Sequence, residues 1–154
     1  MYRIDEALQE FVESGVAVIV GTADGAGRPH VRPGWGLRVH PSRTRVSFFL
    51  EAERAPVPLG NIAATGQIAV TCSDPITYRS VQLKGRGHAV AEITPDDEAW
   101  VARHRAAFIA AVAIVGDPPH AARNRWIEGA LVRIDFDVER AFNQTPGPGA
   151  GGPL

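Results

Sequence analysis

Apolar and polar positions change period several times along the chain, and the changes mark out its elements. Over residues 5–14, Ala7, Leu8, Phe11 and Val12 recur at helical spacing, and Gly15 ends the helix. Residues 16–20 are apolar on both faces, which predicts a buried strand. Asp24-Gly25-Ala26-Gly27 is turn chemistry that joins this strand in a hairpin to a second, residues 28–39. There Val31, Pro33, Trp35, Leu37 and Val39 share one face, and His30, Arg32, Gly34, Gly36 and Arg38 the other. A third strand follows at 45–50, then a short helix around 59–64 closed by Gly66, then a fourth strand at 67–73. The fifth strand, 78–91, is long, and Tyr78, Ser80, Gln82, Lys84, Arg86 and His88 all fall on one side of it. Thr94, Pro95, Asp96 and Asp97 form a helix start: an oxygen cap, a proline at the first position and carboxylates in the first turn. That helix runs to about Val115, and Gly116-Asp117-Pro118-Pro119 breaks it. A short helical piece carries Trp126, and the last strand begins at Gly129, with Val132, Ile134, Phe136 and Val138 opposite Arg133, Asp135 and Asp137.

Six strands joined in hairpins, without a strand–helix–strand rhythm, predict a mainly β fold: an antiparallel six-stranded barrel with flanking helices. The 154 residues suit one domain, expected over 1–145, with a flexible Pro/Gly-rich tail at 146–154. A net charge of −1 supplies no global field toward nucleic acid or an anionic membrane, so a bound anion needs a local basic cluster. With Cys72 alone, an internal disulfide and a cysteine-built metal site are excluded. The first residues carry charge where a signal peptide needs an apolar core, and no apolar run approaches the roughly 20 residues that span a bilayer. The expectation is a cytoplasmic protein with neither a nucleic acid nor a membrane partner.

Dinucleotide-binding, Walker and nucleophile-elbow motifs are absent, and the five histidines lack the paired spacing of metal ligands. Three features remain. Arg32-Pro33-Gly34-Trp35-Gly36 puts a proline and two glycines inside a strand, which fits either a barrel corner with Trp35 in the core or a flat ligand against bare backbone. The polar side of strand five reads as a solvated outer face, yet Ser80, Gln82 and Lys84 also offer hydrogen bonds suited to a flavin. The stretch from Asn143 to Gly152 reads as a flexible tail, with a backbone nest for an anion as the alternative.

The order of elements is joined by short motifs: Gly21-Thr22, then Gly27-Arg28-Pro29-His30-Val31-Arg32-Pro33, Phe48-Phe49-Leu50, Asn61-Ile62, Ile68-Ala69-Val70, and the run from Tyr78 to Gly85. Together they resemble the FMN-binding split barrels of the pyridoxamine 5′-phosphate oxidase-like family over nearly the whole chain. The resemblance implies a homodimer with FMN in the groove between two barrels. It implies Arg32 as a phosphate contact, Pro33, Gly34 and Trp35 along the flavin, and backbone contacts from Phe49 and Leu50. Ser80, Gln82 and Lys84 would reach in from strand five. The family's basic group before the short helix is here reduced to Arg54 within Glu53–Leu59, with Arg79 as a possible compensation. The expected activity is flavin-dependent hydride or electron transfer with a small-molecule substrate or electron donor, without an assigned catalytic residue. A split barrel binding deazaflavin, haem or a small acidic metabolite is the alternative. The longer C-terminal strand of true pyridoxamine phosphate oxidases is missing, so that particular activity is not expected.

Overall fold

The computed structural model describes residues 1–154. Helix α1 (Glu6–Val12) is capped by Asp5, whose carboxylate accepts from the Leu8 N–H at 2.8 Å. Strands β1 (Ala17–Ala23), β2 (Pro29–Val39) and β3 (Arg45–Glu51) follow, then a 3₁₀ turn (Ala52–Arg54) and α2 (Pro56–Thr65). Next come β4 (Gln67–Ser73), β5 (Ser80–Val90), α3 (Pro95–Ile114), α4 (Pro119–Arg123) and β6 (Leu131–Asn143). The strands close an antiparallel barrel in the order β1-β2-β3-β6-β5-β4. Its interior is packed with Val18, Val20, Leu37, Phe48, Leu50, Val70, Leu83, Ile134 and Phe136. None of the helices is long and apolar enough to cross a membrane.

The two barrel ends are closed differently. At one, α2 is tied to β1: Asn61 Nδ2 donates to Thr22 Oγ1 at 3.0 Å, and Thr65 Oγ1 donates to the Ala23 carbonyl at 3.1 Å. At the other, α1 contributes Leu8, Phe11 and Val12 to the core, and Glu13 accepts from the Val39 N–H at 2.7 Å.

Helix α3 begins where its sequence signals it. Asp97 N–H donates to Thr94 Oγ1 at 3.2 Å and the Thr94 N–H to Asp97 Oδ2 at 3.1 Å, a reciprocal cap. Asp97 is also bonded by Arg38 of β2 at 3.1 Å and lies 3.4 Å from Arg133 of β6, so the cap clamps the helix to the barrel wall. Burial alone would raise the Asp97 carboxyl. The Thr94 N–H and hydroxyl, then Arg133 and Arg38, hold it below the ordinary range.

Three expectations need correction. Alternation along β2 is broken by a bulge between Trp35 and Arg38, so Leu37 and Val39 enter the barrel core while Trp35 points outward beneath α3. Trp126 lies beyond α4 rather than in a helical piece. The Pro/Gly-rich tail is not free. β6 runs on to Asn143, and the tail turns back on it: Asn143 N–H donates to the Gly152 carbonyl at 2.8 Å, and the Leu154 N–H to that of Ala141 at 3.0 Å.

Candidate functional site

The barrel wall presents two outward faces of different character. On the first, β2 and β3 meet through the pair Trp35–Phe49, and α3 lies across them with Val101, Phe108 and Val112. Trp35 is buried, its ring 5.9 Å from both His104 and Phe108 and 5.2 Å from Trp126. The glycines beside it serve this packing. Gly36 has φ +60°, and a Cβ there would stand 3.1 Å from Trp100 and Val101. Its N–H donates to His104 Nδ1 at 2.9 Å and its carbonyl accepts from Trp100 Nε1 at 3.0 Å. A Cβ on Gly34 would meet Val20 at 2.7 Å. The bare backbone of this segment is therefore covered by the chain's own helix and core.

On the second face, β2, β1, β4, β5 and β6 lie side by side with no helix over them. One row across it reads Val31, Gly21, Ala69, Lys84, Arg140, and the next Pro33, Ile19, Thr71, Gln82, Phe142. Val31 is 63% exposed and Ile19 39%. Lys84 and Arg140 both stack on Phe142, at 5.2 and 5.8 Å from the ring centre. Gln82 donates through Nε2 to Thr71 Oγ1 at 3.0 Å, which leaves its carbonyl oxygen unused. A shallow cavity of about 450 Å³ lies over the first row, reaching Lys84, Arg86 and His30, whose buried Nε2 has no hydrogen-bond partner.

A family model for pyridoxamine 5′-phosphate oxidase matches residues 4–137. The chain belongs to that family. Solved structures agree on this split-barrel fold. HupZ of Group A Streptococcus superposes with a TM-score of 0.59 at 19% identity, covering 96% of this chain and 99% of that one. An F420 reductase does so with 0.53 at 19%, covering 90% and 98%. HutZ, the heme storage protein of Vibrio cholerae, gives 0.53 at 11%, covering 92% and 95%. No curated protein matches the sequence.

Within this split barrel the expected contact residues divide into groups. Gln82 and Lys84 share the open face with Pro33, but Gly34 faces Val20. Trp35 and Phe49 are buried under α3, and Leu50 is in the barrel core, where the bulge and the inward face of β3 put them. Pairing between β2 and β3 stops at Trp35–Phe49, so residues 29–34 of β2 and the end of β3 form the split. Arg32 sits at this split, half-buried, without a hydrogen bond or ion pair of its own. Arg54 lies on the 3₁₀ turn, 3.7 Å from Glu51. Arg79 lies elsewhere, whereas Ser80 continues the outward side of β5 one row beyond Gln82, opposite Ser73. Arg79 stacks on Phe11 at 4.3 Å, and the Ser80 hydroxyl is engaged with Ser73 at 2.5 Å and the Tyr78 carbonyl at 3.0 Å.

A second cavity, about 400 Å³, was not signalled by the sequence. It opens between α3 and the segment before β6, lined by Glu98, Val101, Arg105, Ile109, Trp126 and Glu128, among others. The Arg105 guanidinium lies beside both the Trp35 and Trp126 rings, at 5.1 and 5.0 Å. Burial lowers its affinity for a proton, opposed by Glu51 and Glu128. The one other arginine of α3, Arg103, stacks on Trp100 instead, at 5.1 Å. Two reactive side chains are held inert. Burial pushes the Cys72 thiol up to about 12, and His104 is occupied on both nitrogens, by the Gly36 N–H and the Val16 carbonyl at 2.9 Å. No cluster of three histidine, cysteine or carboxylate side chains is placed to hold a metal.

Proposed function

We propose that the protein is a homodimeric FMN-dependent oxidoreductase, its open barrel face packed on a second copy and the flavin held in the groove between them. The observation that carries this reading is the asymmetry of the wall. The open face keeps Ile19 and Val31 in solvent, beside Gln82 and Lys84, while Trp35 and Phe49 lie under α3. Membership in the family supports the same reading. Arg32 and Arg54 would hold the phosphate across the split. Arg32 is the stronger contributor, because the charge of Arg54 is shared with Glu51 at 3.7 Å. The free carbonyl of Gln82 and the Lys84 ammonium would bond the polar edge of the ring. The flavin supplies the redox chemistry when bound, and the chain orients it. Incubation with excess FMN followed by gel filtration tests this. Retained flavin absorbance near one per chain, reduced at least about tenfold in affinity by Arg32→Ala, is expected. A colourless protein after loading contradicts it.

One observation favours a second reading, a haem-binding split barrel. The Nε2 of His30 is buried beside the open-face cavity without a partner, so His30 would be the residue to hold a haem iron there, and HutZ is a heme storage protein of the same fold. That reading requires a Soret band that His30→Ala abolishes. Deazaflavin in place of FMN is a variant of the first reading, supported by the F420 reductase likeness.

A further inference from the structure

The cavity beneath α3 has an ionic composition that the flavin reading does not use. Its floor is Arg105, whose side chain is only 12% exposed and forms no hydrogen bond with the protein. Nε and Nη2 are buried without an acceptor, and the nearest carboxylate oxygen, from Glu51, is 3.7 Å away. A guanidinium has five donors, and leaving it unsatisfied in a buried place is costly. Glu51 instead accepts from the Ile127 N–H at 2.7 Å and lies 3.7 Å from Arg54, so its carboxylate is shared among three donors and stands off from Arg105.

The rim has the opposite sign. Glu98 stands two helical turns before Arg105 on the same face of α3. Glu128 comes from the facing segment and accepts from Trp126 Nε1 at 2.9 Å through one oxygen. Neither carboxylate is in an ion pair with a cation of the chain. Between floor and rim the walls are apolar: Val101, Ile109, Leu131 and Trp126. A simple anion would satisfy Arg105 but meet two carboxylates at the mouth. A simple amine would suit the mouth and leave Arg105 unsatisfied. A ligand carrying both charges answers both, and about 400 Å³ is within the range of small-molecule sites.

We propose that this cavity binds a small zwitterion, an α-amino acid with an apolar side chain, its carboxylate on Arg105 and its ammonium toward Glu98 and Glu128. The site is separate from the open face, so it stands or falls independently of flavin binding.

L-leucine is the first probe, titrated into the full chain by calorimetry and by Trp126 fluorescence, with Trp126→Phe to assign the signal. Two analogues dissect it: 4-methylpentanoate, which lacks the ammonium, and isopentylamine, which lacks the carboxylate. Saturable leucine binding is expected, with each analogue at least about tenfold weaker. Arg105→Met should abolish leucine binding. Because Arg105 packs against two indoles, that variant is checked for an unchanged melting temperature. The rim variant Glu98→Gln/Glu128→Gln, with both residues exposed, makes the test independent of it: leucine and 4-methylpentanoate should then bind equally. If leucine shows no saturable binding in the millimolar range, or 4-methylpentanoate binds the native protein as tightly as leucine does, the proposal is overturned.

Discussion

The two outward faces of this barrel meet at β2 and differ in what finishes them. The face at Trp35 and Phe49 is completed within the chain: α3 covers it, Arg38 and Arg133 hold the helix at Asp97, and His104 pins its middle to Gly36 and Val16. The face at Ile19, Val31, Gln82 and Lys84 is left open, although it too carries apolar side chains. The lesson is that an outward apolar residue in this fold signals a partner. On one side the partner is a helix of the same chain; on the other, in the reading proposed above, it is a second copy.

If the covered face is a true second core, breaking it should unfold the protein, whereas altering the open face should not. Trp35→Ala should have the largest effect, a loss of about 3–5 kcal/mol in urea unfolding, because it removes the ring that Phe108, His104 and Trp126 pack against. Asp97→Ala should cost about 2 kcal/mol. That is less than for a fully buried pair, because Arg38 and Arg133 remain about a quarter exposed, at 26% and 24%, and can recover solvation.

The clamp at His104 gives the covered face a pH dependence. Burial holds its imidazole below the ordinary value, with the Val16 carbonyl acting upward and Arg105 downward. The unfolded chain therefore takes up a proton first as pH falls. The stability contributed is intact above about pH 6.5 and declines below it at up to about 1.4 kcal/mol per unit, until the folded imidazole titrates. Urea unfolding at several pH values should show this slope in the native protein and a flatter one in His104→Gln. The smallest change in stability belongs to the open face. Ile19→Asp/Val31→Asp should alter the unfolding free energy of the monomer by no more than about 0.5 kcal/mol, while lowering the mass seen by sedimentation to that of one chain.

Much of the architecture could be read from the residues, and the misses share a physical cause. The start of α3 was legible because Thr94, Pro95 and Asp97 act locally. The antiparallel barrel followed from turn chemistry and the lack of a strand–helix–strand rhythm, whereas the placing of β6 between β3 and β5 did not. The bulge at Gly36 was not legible, since the residue pattern alternates straight through it and only the φ of +60° reveals the flip that separates Trp35 from Leu37. Ser80 looked available because its strand position is polar, but its commitment depends on Ser73 across the β4–β5 pair and on Thr145, whose hydroxyl accepts from its N–H at 3.0 Å. Arg105 was hidden because α3 is apolar on most sides, so periodicity could not show which arginine is buried. The tail composition carried no trace of the β6 edge on which residues 151–154 are held. Of the candidate residues, Gln82 and Lys84 were legible as one outward side of β5 because strand alternation is local, whereas Arg32 lies on the other side of β2, opposite the core residue Val20.

The account depends most on the open face meeting a second copy, and light scattering of the native protein during gel filtration measures that directly. A mass of twice the 16.5 kDa chain, with or without added FMN, is the predicted result. A mass of one chain under both conditions would contradict it, and with it the groove in which the flavin is proposed to lie.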